Sequence, residues 1–266
     1  MTQPLELPRI ESALRAAEAV GRVVHAVWAL ARAQLPRVEA VVAESATYLD
    51  WVDAVVARLA GAPRITDSAH ALHIVIGPER GFCGSLGARI ASEIPPQGPV
   101  VLVGARLAEA ARQTPALCAR ILIELPGPSS VDDVGVGASV LAETVTRHAG
   151  EGPVVLVHPQ AERMPLRQTV LLASEREPAP GGVELYGAPT QALAMAVRES
   201  VEARLRLALG EALCVELRAR AAAAERAQRA AKDQVQELDL ARRVHEQESV
   251  TRELLEIVAS RLGQRP

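Results

Sequence analysis

The chain has 266 residues, enough for one large domain or for a domain with an extended element. Hydrophobic residues make up 49% and aromatics only 2%, so the apolar content is Ala, Val and Leu, which suits helices and buried parallel strands and offers little to stack on bases or sugars. A net charge of -3, with Lys232 the only lysine, gives no nucleic-acid footprint. Cys83, Cys118 and Cys214 are odd in number and lack CxxC spacing, which argues against a disulfide framework or a zinc site and fits a reducing compartment. The stretch Met1 to Ile10 has no signal-peptide pattern. No apolar run approaches the ~20 residues needed to span a bilayer, so membrane association is expected only through a partner.

From Ile10 onward, apolar residues recur in alternating steps of four and three. The series is Ile10, Leu14, Ala17, Gly21, Val24, Trp28, Ala31, Leu35, Val38, Val42, Ser45, Leu49, Val52, Val56 and Leu59, in which only Gly21 and Ser45 break the apolar character. A seven-residue repeat held this long predicts a coiled-coil helix. At ~1.5 Å per residue, roughly fifty residues of it would extend about 75 Å. Pro36 is expected to bend the helix or interrupt its hydrogen bonds, and Gly61-Ala62-Pro63 to end it.

The period then changes. Short apolar runs at Ala71–Ile76, Pro99–Val103, Arg120–Leu125, Pro153–His158 and Thr169–Ala173 read as buried strands. Leu86–Ser92, Ala105–Arg112 and Val134–His148 read as the helices between them, which predicts a Rossmann-like α/β layer with a mostly parallel sheet. Pro95–Pro99, Pro126-Gly127-Pro128 and Pro178–Gly182 are read as loops. After Pro189 the sequence is helical to about Leu262, with Gly210 its only internal glycine. The run Ala221–Ala224, with Ala227, Ala230 and Ala231, either allows close helix approach or simply favours helix. Leu240, Val244, Gln247, Thr251, Leu254 and Val258 form a second, weaker heptad stripe, so an antiparallel pairing of the two terminal helices is expected. The domain division is therefore 1–62 for the N-terminal helix, 68–182 for the α/β domain and 189–264 for the C-terminal helix.

Candidate chemistry is sparse. The segment Gly77-Pro78-Glu79-Arg80-Gly81-Phe82-Cys83-Gly84-Ser85-Leu86-Gly87 follows the first strand, where a phosphate loop would sit. However, Gly81, Gly84 and Gly87 are spaced three apart and no Gly-Lys-Ser/Thr follows, so a tight strand-to-helix turn accounts for it better. Cys83 has no His/Asp partner identifiable as a base, and His70 and His73 have no further metal ligands and read as surface or edge residues. His245-Glu246 begins a zincin pattern that fails, because the second histidine position holds Ser249. No cofactor, metal or catalytic site is expected.

Taken together, these features resemble the gamma subunit of F-type ATP synthases, the central rotor stalk. The family's Ser-Asp-Arg-Gly-Leu-Cys-Gly-Gly-Leu is similar, without gaps, to the stretch from Pro78 to Leu86. Its C-terminal Ile-Thr-x-Glu-Leu/Ile-x-Glu-Ile-Val resembles Val250-Thr251-Arg252-Glu253-Leu254-Leu255-Glu256-Ile257-Val258. Glu211, Glu216 and Arg220 meet a preceding Glu/Arg pattern, and Arg9-Ile10 with Ser12 matches near the N-terminus. Three motifs depart from the family. Its N-terminal Ile-Thr-x-Ala-Met is lost near Ala19–Val23, Ala-Thr-x-Asn-Ala reads Ala227-Gln228-Arg229-Ala230-Ala231, and an Arg-Gln pair reads Glu246-Gln247. These are the marks of a divergent gamma subunit, as expected for an alternative F-type ATPase rather than a housekeeping copy.

The resemblance implies a non-catalytic rotor whose coiled coil sits inside the hexamer of alpha and beta subunits. Its α/β foot would bind the epsilon subunit and the membrane c-ring, on the cytoplasmic side of a bacterial inner membrane. Glu246, Gln247, Arg252 and Glu253 would contact the catalytic head, with Arg22 and Arg32 on the opposite helix. Arg80, Gly81 and Gly84 belong to the foot's turn, where either a partner contact or an arginine packed over the backbone turn explains the motif. A coiled-coil scaffold or adaptor carrying an unrelated α/β domain is the alternative reading, and it predicts self-association through the heptad stripe.

Overall fold

The computed structural model describes residues 7–60, 63–64, 71–148, 152–160, 163–172, 175–176 and 188–262. In chain order the elements are α1 (Leu7–Ala60), β1 (Pro63–Arg64), β2 (Leu72–Ile76), α2 (Leu86–Ser92), β3 (Val100–Val103), α3 (Ala105–Arg112) and α4 (Pro115–Cys118). There follow β4 (Ile121–Leu125), α5 (Asp133–His148), β5 (Val154–Gln160), β6 (Arg163–Leu172), β7 (Glu175–Arg176) and α6 (Pro189–Leu262). The chain divides into two compact units, one of residues 30–221 and one pairing residues 1–29 with 222–266. His70, the Gly61-Ala62 stop, Ala173 and the Pro178–Gly182 loop lie outside the described residues.

The larger unit is built on a five-stranded sheet of order β4-β3-β2-β5-β6. The first four strands are mutually parallel and β6 runs antiparallel to β5. Both faces are covered, which is why β2 and β3 are continuous apolar runs rather than alternating ones. Side-chain alternation sends Ile74, Ile76, Val101, Val103 and Leu156 to one face, where they meet α5 and the long helices through Leu141, Val38, Leu205 and Leu209. Val75, Leu102, Val155 and Val157 point the other way, onto Ile90 of α2 and Leu107 and Ala111 of α3. Each such fully buried Leu or Ile contributes about 1.5–3 kcal/mol of transfer free energy. A two-residue antiparallel pairing joins β1 to β7. Neither this nor the short α4 was expected, since neither is long enough to show a period. The fifth strand begins at Arg163, earlier than the expected Thr169.

Within this unit α1 and α6 run antiparallel. Asp53 accepts from Ser200 (2.8 Å) and pairs with Arg204, Tyr48 donates to Glu199 (2.6 Å), and Arg218 pairs with Glu39 (2.8 Å). Gly210 lets the two backbones close in, because a Cβ there would meet Val42 at 2.9 Å. The heptad series of α1 emerges as read, with every one of its described positions from Ile10 to Leu59 buried or half-buried. Pro36 is exposed inside an assigned helix that continues through it, so the interruption is confined to the one N–H that proline lacks.

The smaller unit repeats the antiparallel pairing. A Cβ on Gly21 would meet that of Ala231 at 3.9 Å, and Gln228 lies 3.3 Å from His25. Its pairing face on α6 differs from the expected one. Leu240, Val244, Gln247, Thr251, Leu254 and Val258 are all exposed. The less exposed positions are instead Ala224, Gln228, Ala231, Val235, Leu238, Arg242, His245 and Ser249. These keep the three-four spacing but, apart from Val235 and Leu238, carry small or polar side chains, so hydrophobicity alone does not single this face out.

Candidate functional site

The turn after β2 is the most elaborately held feature of the larger unit, and α6 does the holding. Glu216 is 3% and Arg220 5% exposed, and as an i, i+4 pair on one helix face they form a buried ion pair. The Glu216 carboxylate accepts the N–H of Glu79 (2.8 Å) and of Arg80 (3.2 Å), while Arg220 Nε donates to the Gly81 carbonyl (3.2 Å). Three donors converge on the two oxygens, an arrangement that only the ionised carboxylate satisfies throughout. Burial lifts this carboxyl above its usual range, against the pull of the Glu79 N–H, Arg220 and the Arg80 N–H. Glu79 extends the network by accepting the N–H of Ala105 (2.9 Å), at the start of α3, and of Gly127 (2.8 Å).

The glycines of the turn have separate duties. Gly84 has φ +59°, which suits a residue without a Cβ, and a Cβ on Gly87 would strike the Arg106 carbonyl at 2.9 Å as α2 and α3 cross closely. Phe82 is the one described non-glycine residue at positive φ (63°), and its side chain is 56% exposed. Phe82, Arg80, Gly81, Cys83, Arg106 and Gln113 line a shallow surface cavity of about 290 Å³. Burial pushes the Cys83 thiol up to about 11, with Glu216 adding to the effect and Arg220 opposing it. The thiol, 3.2 Å from the Arg80 carbonyl, is therefore a protonated donor rather than a nucleophile.

Of the residues expected at the site, Arg80, Gly81 and Gly84 come together in this turn. The arginine packed over it is Arg220, however, and the Arg80 side chain points to solvent. Arg22 and Arg32 are exposed on α1. Glu246 is exposed within 3.9 Å of Arg242, one helical turn earlier on the same helix. Gln247, Arg252 and Glu253 are exposed, and from Val250 to Ser260 every side chain of α6 is. Val250, Leu254, Leu255, Ile257 and Val258 form an exposed apolar run there, each more than half accessible. The sequence reading missed the union of Glu216 and Arg220 with the turn. Its signal was Glu216 and Arg220, one turn apart, in the stretch from Ala212 to Ala221, where Arg218 is the one other charge.

Two histidines are buried as well, and one of them overturns expectation. His73, on the central strand β2, is 4% exposed rather than a surface or edge residue, and burial, then Arg120, lowers its pKa. His158 on β5 faces Glu211 of α6 across 3.4 Å, beside a cavity of about 20 Å³. Burial, then Arg167, pushes His158 down to about 4, while burial raises Glu211. Among the described residues no group of three or more His, Cys, Asp or Glu is placed to hold a metal, and no helix is long and apolar enough to cross a membrane.

Comparison with known proteins accords with this architecture. A family model described as ATP synthase matches residues 6–261. No curated protein matches the chain by sequence. Among solved structures, a chain of the Euglena gracilis mitochondrial ATP synthase (OSCP/F1/c-ring, rotational state 3) is 16% identical with a TM-score of 0.65, over 96% of this chain and 94% of that one. A chain of the Tetrahymena thermophila mitochondrial ATP synthase central stalk/c-ring is 14% identical with a TM-score of 0.59, covering 77% of this chain and 99% of that one. A chain of the Euglena gracilis rotor in rotational state 1 is 15% identical with a TM-score of 0.59, over 91% and 98%. Two long antiparallel helices, the parallel sheet and a family match over nearly the whole length lead to one assignment: the chain belongs to the gamma family of F-type ATP synthases, the stalk subunits of the complex.

Proposed function

We propose that this chain is the central rotor stalk of an F-type ATPase, coupling ion flow through a membrane c-ring to ATP synthesis or hydrolysis in an alpha/beta hexamer. In this reading residues 1–62 and 189–264 are the shaft helices and 68–182 the foot. The chain itself breaks no bonds. It acts by offering each beta subunit a different face as it turns, so that beta conformations with favourable contacts become populated.

The observation that carries this reading is the run from Val250 to Val258. It is an exposed apolar stripe in the last described turns of α6, and it coincides with the C-terminal family motif. Gln247, Glu246, Arg252 and Glu253 beside it are the proposed contacts with beta, with Arg22 and Arg32 on the opposite helix. The turn at Arg80, Gly81 and Gly84 belongs to the foot, where epsilon and the c-ring would bind. Attachment to the cytoplasmic face of a bacterial inner membrane would be peripheral, through the ring. The test is Leu254→Asp with Val258→Asp in the assembled complex. The rotor reading expects ATP hydrolysis to fall at least tenfold while the sheet stays intact; unchanged hydrolysis would count against this run as the bearing surface.

A further inference from the structure

In the larger unit a cavity of about 20 Å³ lies where α6 crosses the sheet. Alternation along β5 puts His158 on the face of Val154 and Leu156, the one that meets α6. Arg204, Leu207, Ala208 and Glu211, spaced three and four apart, form the stripe of α6 that covers it. His158 Nδ1 and Glu211 Oε2 face each other across 3.4 Å, both buried, and neither atom makes a hydrogen bond among the described residues. Two ionisable groups held this way, in low dielectric and without a well-formed bond, make the closeness of the join depend on their charge.

The surroundings are basic. Arg167 of β6 stands in register with His158 and lines the cavity, as does Arg204 of α6, which is tied to Asp53 of α1. Cys214, three residues beyond Glu211, adds no charge, because burial pushes its thiol up to about 11. Burial favours the uncharged form of both central groups. It raises Glu211, against the pull of Arg167 and a hydrogen bond from Gln160, and together with Arg167 it lowers His158 to about 4. On acidification the first proton therefore neutralises Glu211. The imidazole that takes the next one has lost its counter-charge and faces Arg167 and the Arg204–Asp53 pair.

We propose that His158 and Glu211 form an acid-released join between the β5–β6 hairpin and α6, closed while the imidazole is uncharged and opened when it takes a proton. The imidazole's contribution is complete above pH 6.5 and is lost as pH falls toward 4, where it favours opening on the order of a hundredfold. Glu211, raised by burial, works in the opposite sense and offsets part of this. The join belongs to the chain itself and does not depend on the rotor reading.

Hydrogen exchange on the full chain at pH 7 and pH 4, corrected for intrinsic rates, tests it. Amides of 156–160 and 204–211 should lose at least about tenfold in protection at pH 4, while the sheet peptide 100–103 keeps its own. Glu211→Gln removes the offsetting carboxyl and should enlarge the loss, and His158→Gln, with no group to charge, should abolish it. Protection that rises at pH 4 would mean that the two groups close as an ion pair and would overturn the proposal. Unchanged protection, an equal loss in His158→Gln, or a loss in step at 100–103, which would be global unfolding, would overturn it as well.

Discussion

Replacing Arg220 by Met is the sharpest probe of how α6 holds the turn. The substitution keeps much of the side-chain volume but removes the guanidinium, leaving the Glu216 carboxylate, 3% exposed, with only the N–H groups of Glu79 and Arg80. It also strips the Gly81 carbonyl of its Nε donor. Breaking a buried pair from one side typically costs about 3–5 kcal/mol, because the surviving charge stays desolvated. Glu216→Gln with Arg220→Met removes both charges and keeps one amide oxygen as an acceptor, so the double variant should lose less than the two single losses combined, by about 1–3 kcal/mol. The assay is urea titration of the full chain read by pulsed hydrogen exchange in the sheet peptides 72–76 and 100–103, which report the larger unit rather than the long helices. A loss under about 1 kcal/mol for Arg220→Met, or additive singles, would refute the reasoning.

Other outcomes follow from the same structure. His158 has a folded pKa of about 4 against 6.5 for the free imidazole, so the unfolded chain takes up a proton first as pH falls. Its contribution to stability is thus lost on acidification from 6.5 toward 4; Glu211, raised by burial, works in the opposite sense. Relative to the parent, His158→Gln should therefore gain up to about 3 kcal/mol between pH 7 and pH 4 in urea titrations, and a pH-independent difference would contradict this. Phe82→Gly should raise the urea midpoint of the isolated chain by relieving left-handed strain of about 1–2 kcal/mol at φ 63°, and a lowered midpoint would show that the ring contributes more than the strain costs. Cys83 and Cys214 are buried, each pushed up to about 11, whereas Cys118 is exposed. Alkylation of the native chain at pH 8 should modify Cys118 alone, and a rapid adduct on Cys83 would mean that the turn opens.

The sequence was most legible where burial and hydrophobicity coincide. α1 announces its seam because nearly every inward position from Ile10 to Val56 is apolar, and Leu86–Ser92 and Ala105–Arg112 emerge with the bounds read for them. The parallel strands were visible for the same reason, being covered on both faces. The inward face of α6 was not, because its seam holds Gln228, Arg242, His245 and Ser249 while Leu240 and Leu254 face outward. The buried imidazoles of His73 and His158 were equally hidden, since a lone polar residue within a strand has no period of its own. The turn's clamp needed the fold itself. Glu216 and Glu79 are 137 residues apart in sequence, and only the return of α6 past β2 brings them together.

The rotor assignment is tested most directly by co-purifying the full chain with the alpha and beta subunits of its own organism and measuring ATP hydrolysis with and without it. The account predicts a stable complex with one copy of this chain per alpha/beta hexamer and sustained hydrolysis that requires it. A chain that self-associates through its heptad seam and leaves both subunits unbound would contradict the account and favour a coiled-coil scaffold.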